Sequence, residues 1–514
     1  MGAVGRPWIT YLTHTVKRKS TRCITMSASP RQNICKFKRY LNGNKLIIVS
    51  NREPYSHEKI RGKITEKRSI GGVISALDPV MQACGGTWVS WGSGNADFDV
   101  TDEENRIKIS REGGEYTLKR IALSEKEREN YYFGFSNRVL WPLSHFFSDK
   151  MSLNSAYWKT YEKVNHKFAD AVLNEAADET MVWVHDYHLA LVPGIIKRAR
   201  PDLKVSFFWH IVWPSLEIYQ RLPWRREILR GLLGNDMLGF HTKLHADNFL
   251  RCVEKLTPYK VDWEHSEIEV KDRSVKVGIF PIGIDAEHFE ELSNSRNVRI
   301  ISSRLKKKLT SGKDVKIIFG IDRLDYTKGV LNRLRGYERF LKKYPKYRKK
   351  VIFAQLVTPS RSQVREYKQM KSIIDQNVGR INAELERADW VPIRSYYRVF
   401  SDDLLISYYK IADIALVTPL ADGMNLVAKE YIAANKGNGS LILSEFAGAA
   451  ERLKKAFIIN PYDPEDVADA IKAALERPAE ERKYVMGWLK DEIMHHDVYW
   501  WLDRFFRKWK GVYA

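Results

Sequence analysis

The chain has 514 residues, of which 44% are hydrophobic, 12% aromatic and 29% charged. This length is too great for one ordinary domain core, and the composition excludes a small secreted scaffold and an extensively disordered chain. The formal net charge of +22 favours an anionic partner such as nucleic acid, so the basic residues have to be located before that interpretation is accepted.

Residues 1–45 form a basic N-terminal tail. They contain ten Lys or Arg and no Asp or Glu, so the tail carries +10 and the other 469 residues carry +12. The tail is rich in Ser and Thr and lacks the apolar core of a secretory signal. It is therefore either an organellar targeting segment or an extended start ahead of a working protein that begins at Met26 or later. In both cases we expect it to be disordered.

The four cysteines, Cys23, Cys35, Cys84 and Cys252, form no C-x-x-C pair. This spacing predicts neither a disulfide framework nor a zinc site, and it indicates a reducing compartment. No apolar run approaches the roughly 18 residues that are needed to cross a bilayer. We therefore expect a soluble, cytoplasmic protein, with organellar import by the tail as the alternative.

From residue 46 to about 460, short β-rich runs alternate with longer segments of helical period, which predicts an α/β fold with parallel sheets. The predicted strands are Leu46–Ser50, Thr87–Trp91, Met181–Asp186, Lys204–His210, Met237–His241, Val275–Gly283, Lys316–Asp322, Val351–Val357, Ile414–Pro419, Ser440–Ser444 and Ala456–Asn460. The predicted helices include Ser75–Ala83, Asn154–Ala176, Lys328–Tyr344, Ser360–Leu385, Met424–Asn435 and Pro464–Arg477. Five or six strands in each half suggest two doubly wound domains.

The domain boundaries are predicted from changes in composition. A polar segment, Asp285–Asp314, follows the run F-P-I-G-I-D and is taken as the junction, which gives an N-terminal domain over 46–284 and a C-terminal domain over 285–478. Ala479–Lys510 has helical character throughout. Its Trp-rich end is too apolar to stay exposed, so residues 479–514 are expected to pack back across the first domain.

The stretch I-D-R-L-D-Y-T-K-G-V, residues 321–330, is where a predicted strand ends and a helix begins. Arg323 and Lys328 would project from the carboxyl edge of the sheet, where open α/β folds bind ligands. Two cations beside a helix N-terminus suit a diphosphate. The alternative is that Arg323 forms a surface ion pair with Asp322 or Asp325.

The stretch L-V-T-P-L-A-D-G-M-N-L-V-A-K-E-Y, residues 416–431, has the same strand, tight turn and helix pattern. Asp422 and Gly423 occupy the turn, and Asn425 falls near the helix N-cap. Glu430 lies one turn into the helix, where its carboxylate can accept hydrogen bonds from a ribose diol. The alternative is simple helix capping with a solvated Glu430.

Three further sites follow predicted strands or precede a helix in the first half of the chain. The motif S-N-R-E-P at 50–54 contains Arg52, and Gly71–Gly72 lets the backbone approach a phosphate closely. Asp186 and His210 end two strands at the same sheet edge. His185 and His188 have no third ligand at a plausible spacing, so core or capping roles are favoured over a metal site.

Together these motifs resemble the trehalose-phosphate synthases. The resemblance spans roughly residues 45–480 and rests on motifs that occur in the expected order: S-N-R-E-P, G-G-V-I-S-A-L, Y-Y-F-G-F-S-N-R-V-L-W-P, V-H-D-Y-H-L, F-P-I-G-I-D, D-R-L-D-Y-T-K-G, D-G-M-N-L-V-A-K-E-Y and S-E-F-A-G-A-A. It implies a GT-B architecture, in which two Rossmann-like domains face each other across a cleft. It also implies transfer of glucose from a nucleotide-glucose, most simply UDP-glucose, to glucose 6-phosphate with retention of configuration.

The resemblance also assigns roles to matched positions. The implied catalytic residues are Asp186, His210, Arg323, Lys328 and Asp422. The implied donor-binding residues are Gly71, Gly72, Arg323, Lys328, Phe400, Asp422, Gly423, Met424, Asn425, Leu426, Val427 and Glu430. The implied acceptor-binding residues are Arg52, Trp91, Tyr132, Trp141, Asp186 and Arg361. No metal and no cofactor is expected, and the expected partners are the two substrates and further copies of the chain in a homo-oligomer, with no nucleic acid and no membrane.

Two positions depart from the family pattern. Ala421 stands where an Arg commonly precedes D-G-M-N, and H-I-V-W-P at 210–214 places Trp213 where the family commonly has Phe. We expect the first change to remove a cleft charge and the second to reshape a cleft wall. The alternatives are a related synthase that makes a glucosylglycerol phosphate or a cyclitol phosphate product, or a catalytically silent regulatory homologue. A nucleic-acid-binding protein is disfavoured because the basic residues are dispersed.

Overall fold

The computed structural model of the protein describes residues 37–69, 71–360 and 365–512. It contains two large β-sheets with helices on their faces, as the α/β pattern predicted, and a separate two-stranded hairpin. The strands in chain order are β1 (Leu46–Arg52), β2 (Tyr55–Ile60), β3 (Lys63–Arg68), β4 (Thr87–Trp91), β5 (Arg106–Arg111), β6 (Gly114–Ile121), β7 (Met181–His185), β8 (Lys204–Phe208), β9 (Met237–Phe240), β10 (Lys260–Asp262), β11 (Glu267–Val270), β12 (Arg273–Ile279), β13 (Lys316–Arg323), β14 (Val351–Thr358), β15 (Ile393–Tyr397), β16 (Ile414–Val417), β17 (Ser440–Ser444) and β18 (Phe457–Ile459).

Helices connect most of the parallel strands. In chain order they are α1 (37–41), α2 (Gly72–Cys84), α3 (Glu125–Glu127), α4 (Trp141–Ser144), α5 (Ser155–Glu175), α6 (Val192–Ala199), α7 (Leu216–Tyr219), α8 (Arg225–Leu232), α9 (Lys243–Leu256), α10 (Ala286–Asn294), α11 (Arg296–Thr310), α12 (Val330–Lys343), α13 (Arg365–Leu385), α14 (Asp402–Ile411), α15 (Leu426–Ala434), α16 (Pro464–Glu476), α17 (Ala479–His495) and α18 (Val498–Lys510). A π-helix, Arg128–Leu140, joins α3 to α4.

The first sheet has ten strands in the order β10-β11-β12-β9-β8-β7-β1-β4-β6-β5. The run from β12 to β6 is parallel, whereas the outermost pairs at both edges are antiparallel. The central strands are buried on both faces and read as continuous apolar runs, which is why the sequence predicted them. The prediction of five or six strands in each half is wrong for the first half, because the edge strands and the separate β2–β3 hairpin are largely polar. It is confirmed for the second half, whose sheet has six strands.

The second sheet has six strands, all parallel, in the order β15-β14-β13-β16-β17-β18. In each sheet, successive strands are first added on one side of a starting strand and later on its other side. The starting strand is β1 in the first sheet and β13 in the second. A crevice opens at such a switch point, outside the carboxyl ends of the strands. The first switch point carries Arg52 and the second carries Arg323.

The C-terminal segment is two helices rather than the single predicted one. α17 ends at His495 and α18 starts after Asp497, whose side chain caps it by accepting the N–H of Trp500. The aromatic face of α18 packs on the first sheet: the Phe505 ring stacks on Trp183 with centroids 4.3 Å apart. The predicted return of the C-terminus to the first domain is confirmed, since this burial removes a large apolar surface from water.

Two other segments differ from their predictions. The polar junction Asp285–Asp314 is largely helical, because Asp285 and Ser295 cap α10 and α11 through hydrogen bonds to backbone N–H groups. Residues 37–45, assigned to the disordered tail, include α1, whose Phe37 ring packs on Phe506 with centroids 5.7 Å apart. Residues 1–36 lie outside the described part of the chain. Among the described residues, no helix is long and apolar enough to span a membrane.

Candidate active site

The carboxyl edges of the two sheets meet in a cleft, and two close contacts join its walls. Gly423 lies so close to the first domain that a Cβ there would stand 2.4 Å from the carbonyl oxygen of His210. Gly72 approaches the Leu426 side chain in the same way, at 2.2 Å. Only glycine fits at position 423, because a side chain there would clash with the backbone of His210. The motifs from the two halves of the chain therefore form one site.

Arg323 stands at the end of β13 with its side chain exposed. Neither neighbouring carboxylate pairs with it. Asp322 is buried and accepts a 2.5 Å hydrogen bond from Arg333, and Asp325 accepts the Thr327 N–H at 3.1 Å. Among the described residues the guanidinium has no ion-pair partner, so the alternative of a surface ion pair is wrong. The cation stays available for an anionic ligand.

Lys328 and Asp422 form an ion pair across the switch point of the second sheet. The Lys328 ammonium donates a 2.6 Å hydrogen bond to Asp422, and both side chains are about six-sevenths buried, with 13% and 14% exposed. Burial alone would raise the pKa of Asp422, but Lys328 and the Asn425 amide outweigh burial and keep that pKa below its usual value. The carboxylate therefore stays ionised and holds the ammonium at the cleft.

α15 begins at the cleft, as predicted. Asn425 is its N-cap: the side-chain oxygen accepts the Ala428 N–H at 3.2 Å, and the amide donates to Asp422 at 3.1 Å. The first N–H groups of a helix have no intrahelical acceptor, so this end favours an anion. Glu430, one turn further, accepts a 2.8 Å hydrogen bond from the Tyr409 hydroxyl, and burial raises its pKa. Glu430 is therefore half-buried and hydrogen-bonded, rather than free in solvent as the alternative had it.

Asp186 and His210 adjoin each other on the first-domain wall. Asp186 has a positive φ of 74°, a strained conformation for a non-glycine residue, and its carboxylate accepts the His210 N–H at 3.3 Å. Burial raises the pKa of Asp186 to about 7, although two N–H groups and Arg323 oppose the shift. Burial keeps the pKa of His210 well below its usual value, so the imidazole is neutral at pH 7.

The raised pKa of Asp186 predicts a stability effect of known sign. The folded state holds the proton more tightly than the unfolded state, so this carboxyl stabilises the fold below its unfolded pKa of about 4, and that contribution is lost as the pH rises through about 7. Asp186→Asn is therefore expected to raise the melting temperature relative to the wild type more at pH 8 than at pH 5, while it lowers turnover. Thermal unfolding at both pH values tests this, and an equal shift at both would contradict it.

The acceptor side centres on Arg52, an exposed residue at the end of β1. Its guanidinium donates a 2.8 Å hydrogen bond to the Tyr132 hydroxyl, and the Tyr132 ring packs near Trp91 with centroids 6.1 Å apart. Tyr132 comes from the π-helix, a rare geometry that occurs often at functional sites. Arg361, the other predicted phosphate ligand, lies outside the described residues. The structure thus joins three of the predicted acceptor residues.

The site also contains residues that the sequence analysis missed. Behind Arg52, the fully buried Arg120 donates a 2.8 Å hydrogen bond to Glu53 and lies 3.2 Å from Asp97. Burial and the neighbouring Asp97 raise the pKa of Glu53 to about 8. This cluster anchors the turn that carries Arg52. Glu53 could have been predicted, because it follows Arg52 in the motif S-N-R-E-P. Arg120 could not, because no motif surrounds it in the sequence.

His145 is a second missed residue. Its ring lies 4.1 Å from the Trp141 ring, between centroids, and its Nδ1 is 2.8 Å from the Trp141 carbonyl oxygen. Burial lowers the pKa of His145 to about 4, and Asp325, Lys328 and Asp422 act on it electrostatically. The Trp141 indole in turn donates to Asp325 at 3.4 Å, which brings this first-domain tryptophan to the second domain.

Three further positions from the sequence analysis are buried. Phe400 is buried, with the Arg398 guanidinium 5.3 Å from its ring centroid. Trp213 is fully buried and packs edge-on against Phe249 at 4.9 Å, so the expectation that it reshapes a cleft wall is wrong. Ala421 is buried, with 1% of the residue exposed.

The two histidines considered as metal ligands have other contacts. His185 Nδ1 lies 3.0 Å from His210 Nε2, and burial lowers the pKa of His185 to about 3. The His188 ring stacks on Tyr132 with centroids 5.8 Å apart. In the described part of the chain, no group of three or more His, Cys, Asp or Glu is placed to hold a metal ion. These contacts agree with the core roles that the sequence favoured.

Comparison with known proteins places this site in a family. The model of glycosyltransferase family 20 matches residues 44–511. The chain belongs to that family. It is 39% identical over 468 residues to the trehalose-6-phosphate synthase of Mycobacterium avium, which covers 89% of this chain and 94% of that protein. It is 42% identical over 469 residues to a bifunctional trehalose-6-phosphate synthase/phosphatase of Thermoproteus tenax, covering 89% of this chain but 62% of the relative.

A solved structure shares the fold. It is an α,α-trehalose-phosphate synthase (UDP-forming) from Burkholderia xenovorans in complex with glucose 6-phosphate, 31% identical, with a TM-score of 0.81 over 91% of this chain and 100% of that one. The family-20 chain described here therefore has the GT-B architecture that the motifs implied.

Proposed function

We propose that this family-20 glycosyltransferase transfers glucose from UDP-glucose to glucose 6-phosphate, with retention, to form trehalose 6-phosphate. The observation that carries the proposal is the arrangement of cations around one cleft. Arg323 has no ion-pair partner among the described residues and stands beside the Lys328–Asp422 pair, while Arg52 lies on the opposite wall. A diphosphate and a sugar phosphate need such charges on two sides.

The donor is assigned to the second domain. Arg323, Lys328 and the N-terminus of α15 would hold the diphosphate through charge and N–H groups. Glu430, fixed by Tyr409, would bind the ribose diol, and Phe400 would lie beside the base. The Gly71–Gly72 turn closes over this end of the cleft from the first domain, where Gly72 meets Leu426.

The acceptor is assigned to the first domain. Arg52 and Arg361 would bind its phosphate, and Tyr132, Trp141 and Trp91 would form the pocket walls. Asp186 and the neutral imidazole of His210 are adjacent and would bind sugar hydroxyls, since one accepts and the other can donate or accept a hydrogen bond.

The reaction then depends on positioning and on charge neutralisation. As the bond between the anomeric carbon and the diphosphate breaks, negative charge grows on the leaving oxygen, and Arg323 and Lys328 stabilise it. The acceptor hydroxyl attacks from the same face, and its proton passes to the leaving phosphate. The proposal assigns the stabilising charge to two side chains, so it requires no metal ion. The homo-oligomer and the cytoplasmic location stay predictions from the sequence.

The proposal is tested by a matrix of nucleotide-glucose donors against acceptors, with release of the nucleoside diphosphate as the readout. We expect UDP release from UDP-glucose when glucose 6-phosphate is present and almost none with unphosphorylated glucose. Glycerol phosphates and cyclitol phosphates in the same matrix separate the related synthases. Equal rates with glucose and glucose 6-phosphate would contradict the assignment of Arg52 to the phosphate.

The silent regulatory homologue is the second candidate, motivated by Ala421. It predicts no turnover with any pair in the matrix, and activity that appears in Ala421→Arg. The charges of the cleft argue against it, because Arg323 and the Lys328–Asp422 pair are in place without an arginine at position 421. Robust turnover by the wild type would remove this candidate.

A further inference from the structure

Lys429 is a buried lysine on α15 that has no described ion pair. Only 3% of the residue is exposed, and its ammonium donates a 2.6 Å hydrogen bond to the carbonyl oxygen of Ile282. The charged groups that act on it are Arg452 and Glu492, which pair with each other at 2.7 Å. Burial of an amine is costly, and it lowers the pKa of Lys429 to about 7. An apolar side chain would occupy this position at a lower desolvation cost. The presence of a lysine therefore needs an explanation other than stability.

The carbonyl that Lys429 holds belongs to the segment that connects the two sheets. This connecting segment, residues 280–285, runs from the end of β12 to the start of α10. The first domain holds it through His241: the Ile282 N–H donates to Nδ1 of that histidine at 3.4 Å. Both polar backbone groups of Ile282 are therefore held, one by each domain.

The chain crosses between the domains a second time at the break between α17 and α18, and this second crossing contacts the connecting segment. A Cβ on Gly283 would stand 2.2 Å from the carbonyl carbon of Asp497, in the break between α17 and α18. The Val498 N–H donates to the Ile284 carbonyl oxygen at 3.0 Å. The two crossings thus form one junction, and the ammonium of Lys429 enters it from α15.

α15 is also the helix that carries the proposed donor site. Its N-cap, Asn425, is bonded to Asp422, and Glu430 follows Lys429 directly. Successive residues on a helix point about 100° apart, so Lys429 and Glu430 face different surroundings, the junction and Tyr409. The Lys429 hydrogen bond therefore joins α15 directly to the junction, on a different side of the helix from the Glu430–Tyr409 contact.

We propose that Lys429 is a positioning residue that ties the donor-binding helix to the connecting segment and so sets how the second domain meets the first. It holds the N-terminus of α15 where Leu426 abuts Gly72 and Gly423 abuts His210. The inference rests on the proposed function for the identity of the donor. Loss of the tie lets α15 shift, which weakens donor binding and leaves the acceptor site on the first domain unchanged.

The test is Lys429→Met in the full chain, with UDP binding by calorimetry and steady-state kinetics as readouts. We expect the dissociation constant for UDP and the KM for UDP-glucose to rise about tenfold, the scale of one hydrogen bond from a charged donor. The KM for glucose 6-phosphate is expected to stay within about twofold of the wild type, since the acceptor site lies on the other wall. UDP binding can be measured without turnover, so this test is independent of the test of the proposed reaction. The proposed reaction is contradicted if the wild type binds UDP but transfers no glucose.

Lys410→Met is the matched control. Lys410 is likewise buried and donates to a backbone carbonyl, that of Ser293, but neither residue belongs to the connecting segment. The Ser293 hydroxyl donates to Ala434 at the C-terminal end of α15, so the control acts at the opposite end of that helix from the donor-binding N-terminus. Burial lowers the pKa of Lys410 as well. We expect Lys410→Met to lose a comparable amount of thermal stability and to keep the UDP affinity of the wild type.

Equal UDP affinities in Lys429→Met and Lys410→Met would overturn the proposal, since Lys429 would then be structural only. Lys429→Gln, whose shorter amide cannot reach as far, replaces the methionine variant if the latter does not fold. It is expected to weaken UDP binding at least about threefold, and unchanged UDP binding in Lys429→Gln would also overturn the proposal.

Discussion

Arg323→Ala is expected to reduce kcat about a thousandfold, the loss seen when one group that stabilises developing charge is removed from an enzyme. The guanidinium is exposed at the end of β13 and has no ion-pair partner among the described residues, so its removal breaks no ion pair. The melting temperature should therefore change little. Steady-state kinetics with UDP-glucose and glucose 6-phosphate, together with thermal unfolding, measure the two effects separately.

Two variants control this experiment. Arg323→Lys keeps the charge but loses the planar fork that binds two phosphate oxygens, and we expect it to recover part of the rate. Arg339→Ala removes an exposed arginine from α12, where it pairs with Glu465, and we expect it to leave kcat unchanged. An Arg323→Ala enzyme with more than about a tenth of the wild-type kcat would show that this cation does not stabilise the leaving group.

Arg323 is free to bind an anionic ligand because other groups bind the carboxylates next to it. Arg333, which is fully buried, binds Asp322, and its other N–H groups donate to Gln355 on β14 and to Thr418 just after β16. Without that partner, Asp322 would be a buried carboxylate next to Arg323 in the chain and would compete with a substrate phosphate. The charge at the cleft is thus prepared before any ligand binds, which is the condition for electrostatic catalysis.

The sequence predicted those parts of the site that depend on local order. Buried parallel strands are continuous apolar runs, and the residues that follow them lie at one sheet edge, so Arg52, Asp186 and Arg323 could be placed correctly. The N-cap role of Asn425 followed from its position before an apolar helix. These predictions need only strand and helix periodicity together with short-range hydrogen bonding.

Other features could not be predicted because they depend on contacts between distant parts of the chain. The 3.4 Å contact between Trp141 and Asp325 joins residues 184 positions apart. The choice of Arg333 rather than Arg323 as the partner of Asp322 is decided by burial, which neither residue reveals in sequence. The prediction that Trp213 reshapes a cleft wall failed for the same reason. Its neighbours in sequence line the cleft, whereas its own ring is in the core.

Arg52→Ala is expected to raise the KM for glucose 6-phosphate about a hundredfold, the scale of a lost charge-assisted contact with a phosphate. Unphosphorylated glucose makes no use of that contact, so its low kcat/KM should hardly change, and the preference for the phosphorylated acceptor should fall by the same factor. The KM for UDP-glucose should stay near that of the wild type, because the donor contacts lie on the second domain. Kinetics with both acceptors and the donor measure all three quantities.

Tyr132→Phe separates the charge of Arg52 from its orientation. The Tyr132 hydroxyl accepts a 2.8 Å hydrogen bond from the Arg52 guanidinium, and the Glu53–Arg120 pair fixes the backbone beneath it. Loss of the hydroxyl leaves the charge in place but removes one of the two restraints, so we expect a rise of only about tenfold in the same KM. If Tyr132→Phe matched Arg52→Ala, orientation rather than charge would dominate. If neither changed the acceptor preference, the phosphate would bind elsewhere in the cleft.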